Sequence, residues 1–107
     1  MFCTPGTADL LGPLLWDAAH LQEEEAAHAN RHGYAKHRPA LPLFTASDAE
    51  AVFPLLRPQP YGEPFPVAPG FAATLRRAGH IRGSASVELR VADNRPVTLV
   101  FSGDLGR

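Results

Sequence analysis

The sequence predicts a mixed α+β (α/β) fold, an N-terminal helix followed by an antiparallel β-meander. Three observations predict it. Apolar residues recur at helical spacing in the first third of the chain. After about position 60 the texture changes to short runs rich in β-branched and aromatic residues. Turn residues separate those runs: Pro69-Gly70, Gly79-His80 and Asp93-Asn94.

The elements follow in order. Met1 to Thr4 reads as the end of a strand, and Pro5-Gly6 as a turn. Thr7 is the expected N-cap, with Asp9 in the first turn, where the helix dipole favours an anion. Leu10, Leu11, Leu14, Leu15, Ala18, Ala19 and Leu21 then fall at helical spacing. Gly12-Pro13 interrupts them, so a kink or restart is expected at Pro13. The helix is expected to stop at Gly33, a natural residue just past a helix end.

"YAKHRPALPLFT" reads as a loop. Ser47 to Glu50, "SDAE", reads as a capping box opening a short helix that ends near Leu55, where Pro54 argues against continuation. Strands are expected at Phe65 to Val67, Phe71 to Ala78, Ser84 to Val91 and Val97 to Phe101. In the third of these, Val87, Leu89 and Val91 share one face, with Glu88 and Arg90 on the other. At 107 residues this is one domain at most, divided into a helical part (1–60) and a meander (61–107).

Composition narrows the function. The chain is 45% hydrophobic and 20% charged, ordinary for a globular protein. Its net charge of -1 argues against a small stand-alone electrostatic nucleic-acid binder. The single cysteine, Cys3, excludes an internal disulfide and a cysteine zinc cage. It suits a reduced, cytoplasmic chain. No apolar run has the length of a membrane span, and no secretory signal opens the sequence.

Two residues stand where chemistry is often placed. His80 lies in "AGHIRGSA" and Asp104 in "SGDLG", each where a predicted strand gives way to a glycine-containing loop. Their strands flank one hairpin, so both loops can open on the same sheet edge. An imidazole and a carboxylate there suit a zinc-type ion. Each also fits a plain turn residue. A second candidate is a helical face: His20 and Glu24, then Glu24, His28 and His32, fall four apart and share a side of the helix. The simpler reading is a solvated polar face. His37 sits in a basic loop with Lys36 and Arg38 and reads as solvated. No phosphate-binding glycine loop, nucleophile elbow or Ser-His-Asp order occurs.

Taken together the motifs resemble a known family. "AGHIRGSA" resembles the third metal motif of the β-CASP branch of metallo-β-lactamase-fold nucleases, commonly Gly-His-Ile-Leu-Gly-Ser. "FSGDLGR" resembles that branch's fourth motif. "FCTPGTADLL" is similar to the strand and helix start after the second motif, and the intervening segment to the insertion of the RNA-processing subgroup.

The resemblance implies a partial αββα metallo-β-lactamase fold and two zinc ions. His80 would be a ligand of one ion and Asp104 would bridge both. A water or hydroxide between the metals would attack an RNA phosphodiester. Arg82 departs from the family, which usually has Leu. The second motif, His-x-His-x-Asp-His, is missing, and His20, His28, His32 and His37 do not have its spacing.

The expectation is an internal fragment of a zinc-dependent RNA-processing metallohydrolase, with weak metal binding and little hydrolysis alone. The alternative is a non-catalytic binding or assembly protein on the same scaffold. Unpaired sheet edges would invite self-association.

Overall fold

The computed structural model describes residues 1–106 as a mixed α+β chain. Its elements are β1 (Phe2–Cys3), α1 (Pro5–His32), α2 (Ala46–Val52) continuing into a 3₁₀ turn (Phe53–Leu55), β2 (Arg57–Pro58), β3 (Phe65–Ala68), β4 (Phe71–Arg77), β5 (Ala85–Val91) and β6 (Val97–Phe101). They form two compact units. One comprises Met1–Leu10 and the chain from Arg57 onward, and the other is Leu11–Leu56. No helix among the described residues is long and apolar enough to cross a membrane.

In the strand-bearing unit, β3-β4-β5-β6 form one antiparallel sheet in sequence order. The four predicted strands are therefore present as a meander. The register places Leu75 opposite Val87, and Leu89 between Ala73 and Leu99. Phe65, Ala73 and Leu75 are buried, with Tyr61, Ala85, Val87 and Leu89 packed on them. Val87 and Leu89, two residues of the predicted inner face of β5, thus meet this core. β4 is covered most completely: Ala73, Thr74 and Leu75 in succession are buried. The Phe2 ring lies 4.9 Å from the Phe65 ring, tying β1 to the core.

β1 also pairs with β2 in a two-residue parallel ladder, Phe2 opposite Arg57 and Cys3 opposite Pro58. Nothing local in the sequence marks β2; a two-residue strand containing proline has no alternation to read. At the far side of the sheet, all five residues of β6 are exposed. Four of them, Val97, Leu99, Val100 and Phe101, are apolar.

Three local expectations are corrected. The first is the cap of α1, which is Thr4 and not Thr7. Its hydroxyl accepts from the Thr7 N–H at 3.1 Å, which places Pro5 at the first helical position. Asp9 consequently lies beyond the first turn, which holds no acidic residue. Second, the helix does not restart at Pro13 but runs through it from Pro5 to His32. A proline removes one backbone hydrogen bond, and here the turns on either side keep the helical pattern. Third, the capping box of α2 is Thr45 with Asp48, not Ser47 with Glu50. A box needs extended backbone at its first residue, and Thr45 has it, with φ of -109° and ψ of 170°.

The stop of α1 is as expected: Gly33 has φ of +69° and its N–H reaches the Ala29 carbonyl at 2.9 Å. Within the helical unit α1 buries alanines, Ala19, Ala26 and Ala29. These let the following loop approach. Asn30 holds both the N–H and the carbonyl of Ala40, Gln22 accepts from the Leu43 N–H, and Glu23 from the Ala46 N–H.

The Thr45–Asp48 box yields a prediction. The Thr45 backbone N–H, and then its hydroxyl, hydrogen-bond the Asp48 carboxylate and hold its pKa below the ordinary value. A lowered folded pKa adds stability above the unfolded value, lost as pH falls through the folded one. The difference in melting temperature between the chain and Asp48→Asn is therefore expected at neutral pH and closes below about pH 4. Thr45→Ala is expected to cost about 1 kcal/mol. Thermal melts followed by circular dichroism across that range check both.

Candidate metal centre

β5 runs antiparallel to β4 and β6, so the chain leaves β4 and β6 at the same sheet edge. His80 lies in the segment after β4 and Asp104 in the segment after β6. Both expected loops therefore do open side by side. The His80 Nε2 and an Asp104 carboxylate oxygen are 4.0 Å apart. Both side chains reach solvent, at 47% and 88% exposure, so neither is sealed in a dry interior.

Two backbone contacts hold these segments. The Gly106 N–H donates to the Ala78 carbonyl at 2.9 Å. A Cβ on Gly106 would fall on the Gly79 carbonyl and the start of His80, so the segments touch backbone to backbone. The His80 loop is closed by its own N–H on the Ser84 hydroxyl at 3.2 Å, and by the Ser84 N–H on the Ile81 carbonyl at 3.0 Å. The Tyr61 hydroxyl donates to the Ser84 carbonyl at 2.9 Å.

The same loop is fastened to the start of α1. The hydroxyls of Thr4 and Thr7 lie 2.7 and 3.0 Å from the Gly83 carbonyl and donate to it. Thr4 is almost fully buried. Gly83 has φ of +86°, and a Cβ there would run into the Thr7 backbone. In the sequence Thr4-Pro5-Gly6-Thr7 reads as a strand-to-helix turn. Its role against Gly83 depends on a contact between positions 79 residues apart, which leaves no periodic signal.

The donor set can be tested against a zinc ion. Ligand bonds of about 2.0–2.2 Å at a tetrahedral angle put two ligand atoms about 3.4 Å apart. The observed 4.0 Å needs only about half an ångström of closure. An imidazole nitrogen and a carboxylate oxygen are suitable donors. They supply two ligands where zinc takes three or four from protein. Among the described residues, no group of three or more His, Cys, Asp or Glu is placed to hold a metal ion.

The helical face is engaged otherwise. His20 pairs with Glu24 at 3.4 Å. The His28 and His32 rings stack at 4.1 Å between centroids. The His28 Nδ1 meets the Tyr34 hydroxyl and the His32 Nδ1 meets the His28 carbonyl, both at 3.0 Å. Glu24, His28 and His32 thus share a face without converging on a point. His37 is exposed, and Cys3 is a free, half-buried thiol.

Compared with protein-family models and with curated proteins, the chain matches none.

Proposed function

We propose that the chain is a segment of a zinc-dependent metallohydrolase acting on RNA, in which His80 and Asp104 are two of the metal ligands. The observation that carries this reading is the 4.0 Å approach of an imidazole and a carboxylate from two different loops at one sheet edge. The resemblance of "AGHIRGSA" and "FSGDLGR" to paired metal motifs supports it independently of distance. When bound, divalent ions at such a site supply an activated water and stabilise charge on the phosphodiester. This chain's part is to hold one nitrogen and one carboxylate donor at a fixed separation, with the remaining ligands contributed by polypeptide outside these residues.

Two ligands hold an ion weakly, so the isolated chain is expected to bind Zn²⁺ weakly and to hydrolyse little or no RNA. Zinc titration followed by NMR should move the His80 ring resonances. Asp104→Ala should weaken that response about tenfold or more, and His28→Ala should leave it unchanged. A zinc response centred on His28, or one indifferent to Asp104, removes the reading.

The exposed apolar edge of β6 favours a second reading, assembly on the same scaffold. Under it the chain self-associates without zinc, and sedimentation with and without a chelator separates the two.

A further inference from the structure

Beside His80, on the same loop, the strand-bearing unit has a cleft of about 360 Å³. Two guanidinium groups, Arg77 and Arg82, and one carboxylate, Asp9, line it, with Tyr61 and Gly79. The chain as a whole carries a net charge of -1, yet the charged groups of this cleft leave a positive balance.

The two arginines are held differently. The Arg77 guanidinium lies 4.5 Å over the Tyr61 ring. That ring is anchored by its own hydroxyl on the Ser84 carbonyl. The planar fork of guanidinium N–H donors suits an oxyanion, which accepts two of them at once. Arg82 sits 3.6 Å from an Asp9 oxygen, longer than a hydrogen bond, with both side chains mostly in water. Such a pair is weak. An incoming phosphate, which accepts charge-assisted hydrogen bonds from Arg more strongly, can displace the carboxylate. Arg82 is two residues from His80, where the resembling motif has Leu.

We propose that Arg77 and Arg82 form a phosphate subsite. It takes the phosphodiester of a single-stranded RNA adjacent to the one presented at His80 and Asp104. The identity of the strand as RNA rests on the function proposed above; the affinity for phosphate does not. Asp9 is the internal competitor for Arg82.

The test uses the full chain with a chelator present, so that metal plays no part. A five-residue oligouridylate and inorganic phosphate are titrated while the arginine Nε–H resonances are followed by NMR. Both probes should move Arg77 and Arg82, the oligonucleotide at lower concentration. Arg82→Leu should weaken oligonucleotide binding about tenfold and reduce its salt slope by about 0.7. Asp9→Asn should tighten binding severalfold, because it frees Arg82. This opposite sign separates competition from a merely structural ion pair, whose loss would act alike from either side. Should Arg82→Leu not fold, the sign of Asp9→Asn decides alone. Unchanged or weaker binding in Asp9→Asn, or an Arg82→Leu variant that binds as before, overturns the proposal. A response to free phosphate with none to the oligonucleotide overturns the RNA assignment. Zinc binding at His80 without either response would leave the metal site standing and remove this subsite.

Discussion

Gly83→Ala is expected to destabilise the strand-bearing unit by about 3 kcal/mol. Two costs combine. The residue has φ of +86°, where an L side chain is strained. The added methyl would also meet the Thr7 N–H, the Gly6 carbonyl carbon at 2.7 Å and the Thr7 hydroxyl at 2.8 Å. Two of these are backbone and cannot turn aside, so the start of α1 and the His80 loop must part. Parting them strips the Gly83 carbonyl of both threonine hydroxyls and uncovers Thr4. Urea unfolding measures the loss. Gly12→Ala is the matched control: nothing lies within 4 Å of its Cβ, and alanine is the better helix former. It should be neutral or stabilising by up to about 1 kcal/mol. Equal effects from the two substitutions would mean that the Gly83 contact does not form.

Gly106→Ala is expected to act on the site more than on the fold. Its methyl would land on the Gly79 carbonyl beside His80. The cheapest relief is for the segment after β6 to lift away. That movement gives up the 2.9 Å bond to the Ala78 carbonyl and carries Asp104 away from His80. Stability should fall by about 1 kcal/mol, one hydrogen bond. Zinc affinity at His80 should fall about ten- to hundredfold, as when groups that orient ligands are removed. Amide exchange at residue 106 should accelerate in parallel. An unchanged zinc response together with fast exchange at residue 106 would show that this contact does not position Asp104.

Much of the strand-bearing unit was legible locally. β3, β4, β5 and β6 announce themselves because each run is rich in β-formers and bounded by turn residues, and in β5 Val87 and Leu89 fall on one core face. The placement of His80 and Asp104 on one edge followed from counting strands. The caps lie two or three residues before the positions that the sequence suggests, at Thr4 and not Thr7 and at Thr45 and not Ser47. "TPGT" and "TASD" each offer more than one hydroxyl, and only backbone conformation chooses among them. Pro13 misled because its local penalty is outweighed by the helix around it.

Short-range chemistry was enough to determine a long alanine-rich helix, a four-strand meander and two candidate ligands on neighbouring loops. Period, turn type and residue size are all encoded within a few positions. Tertiary structure alone decided the β1–β2 pairing, the grip of Thr4 and Thr7 on Gly83, the seat of Gly106 on Gly79, and the pairing of Arg82 with Asp9. Each of these joins segments at least 27 residues apart. Such contacts depend on three-dimensional closeness, and no spacing rule along a single chain carries that information.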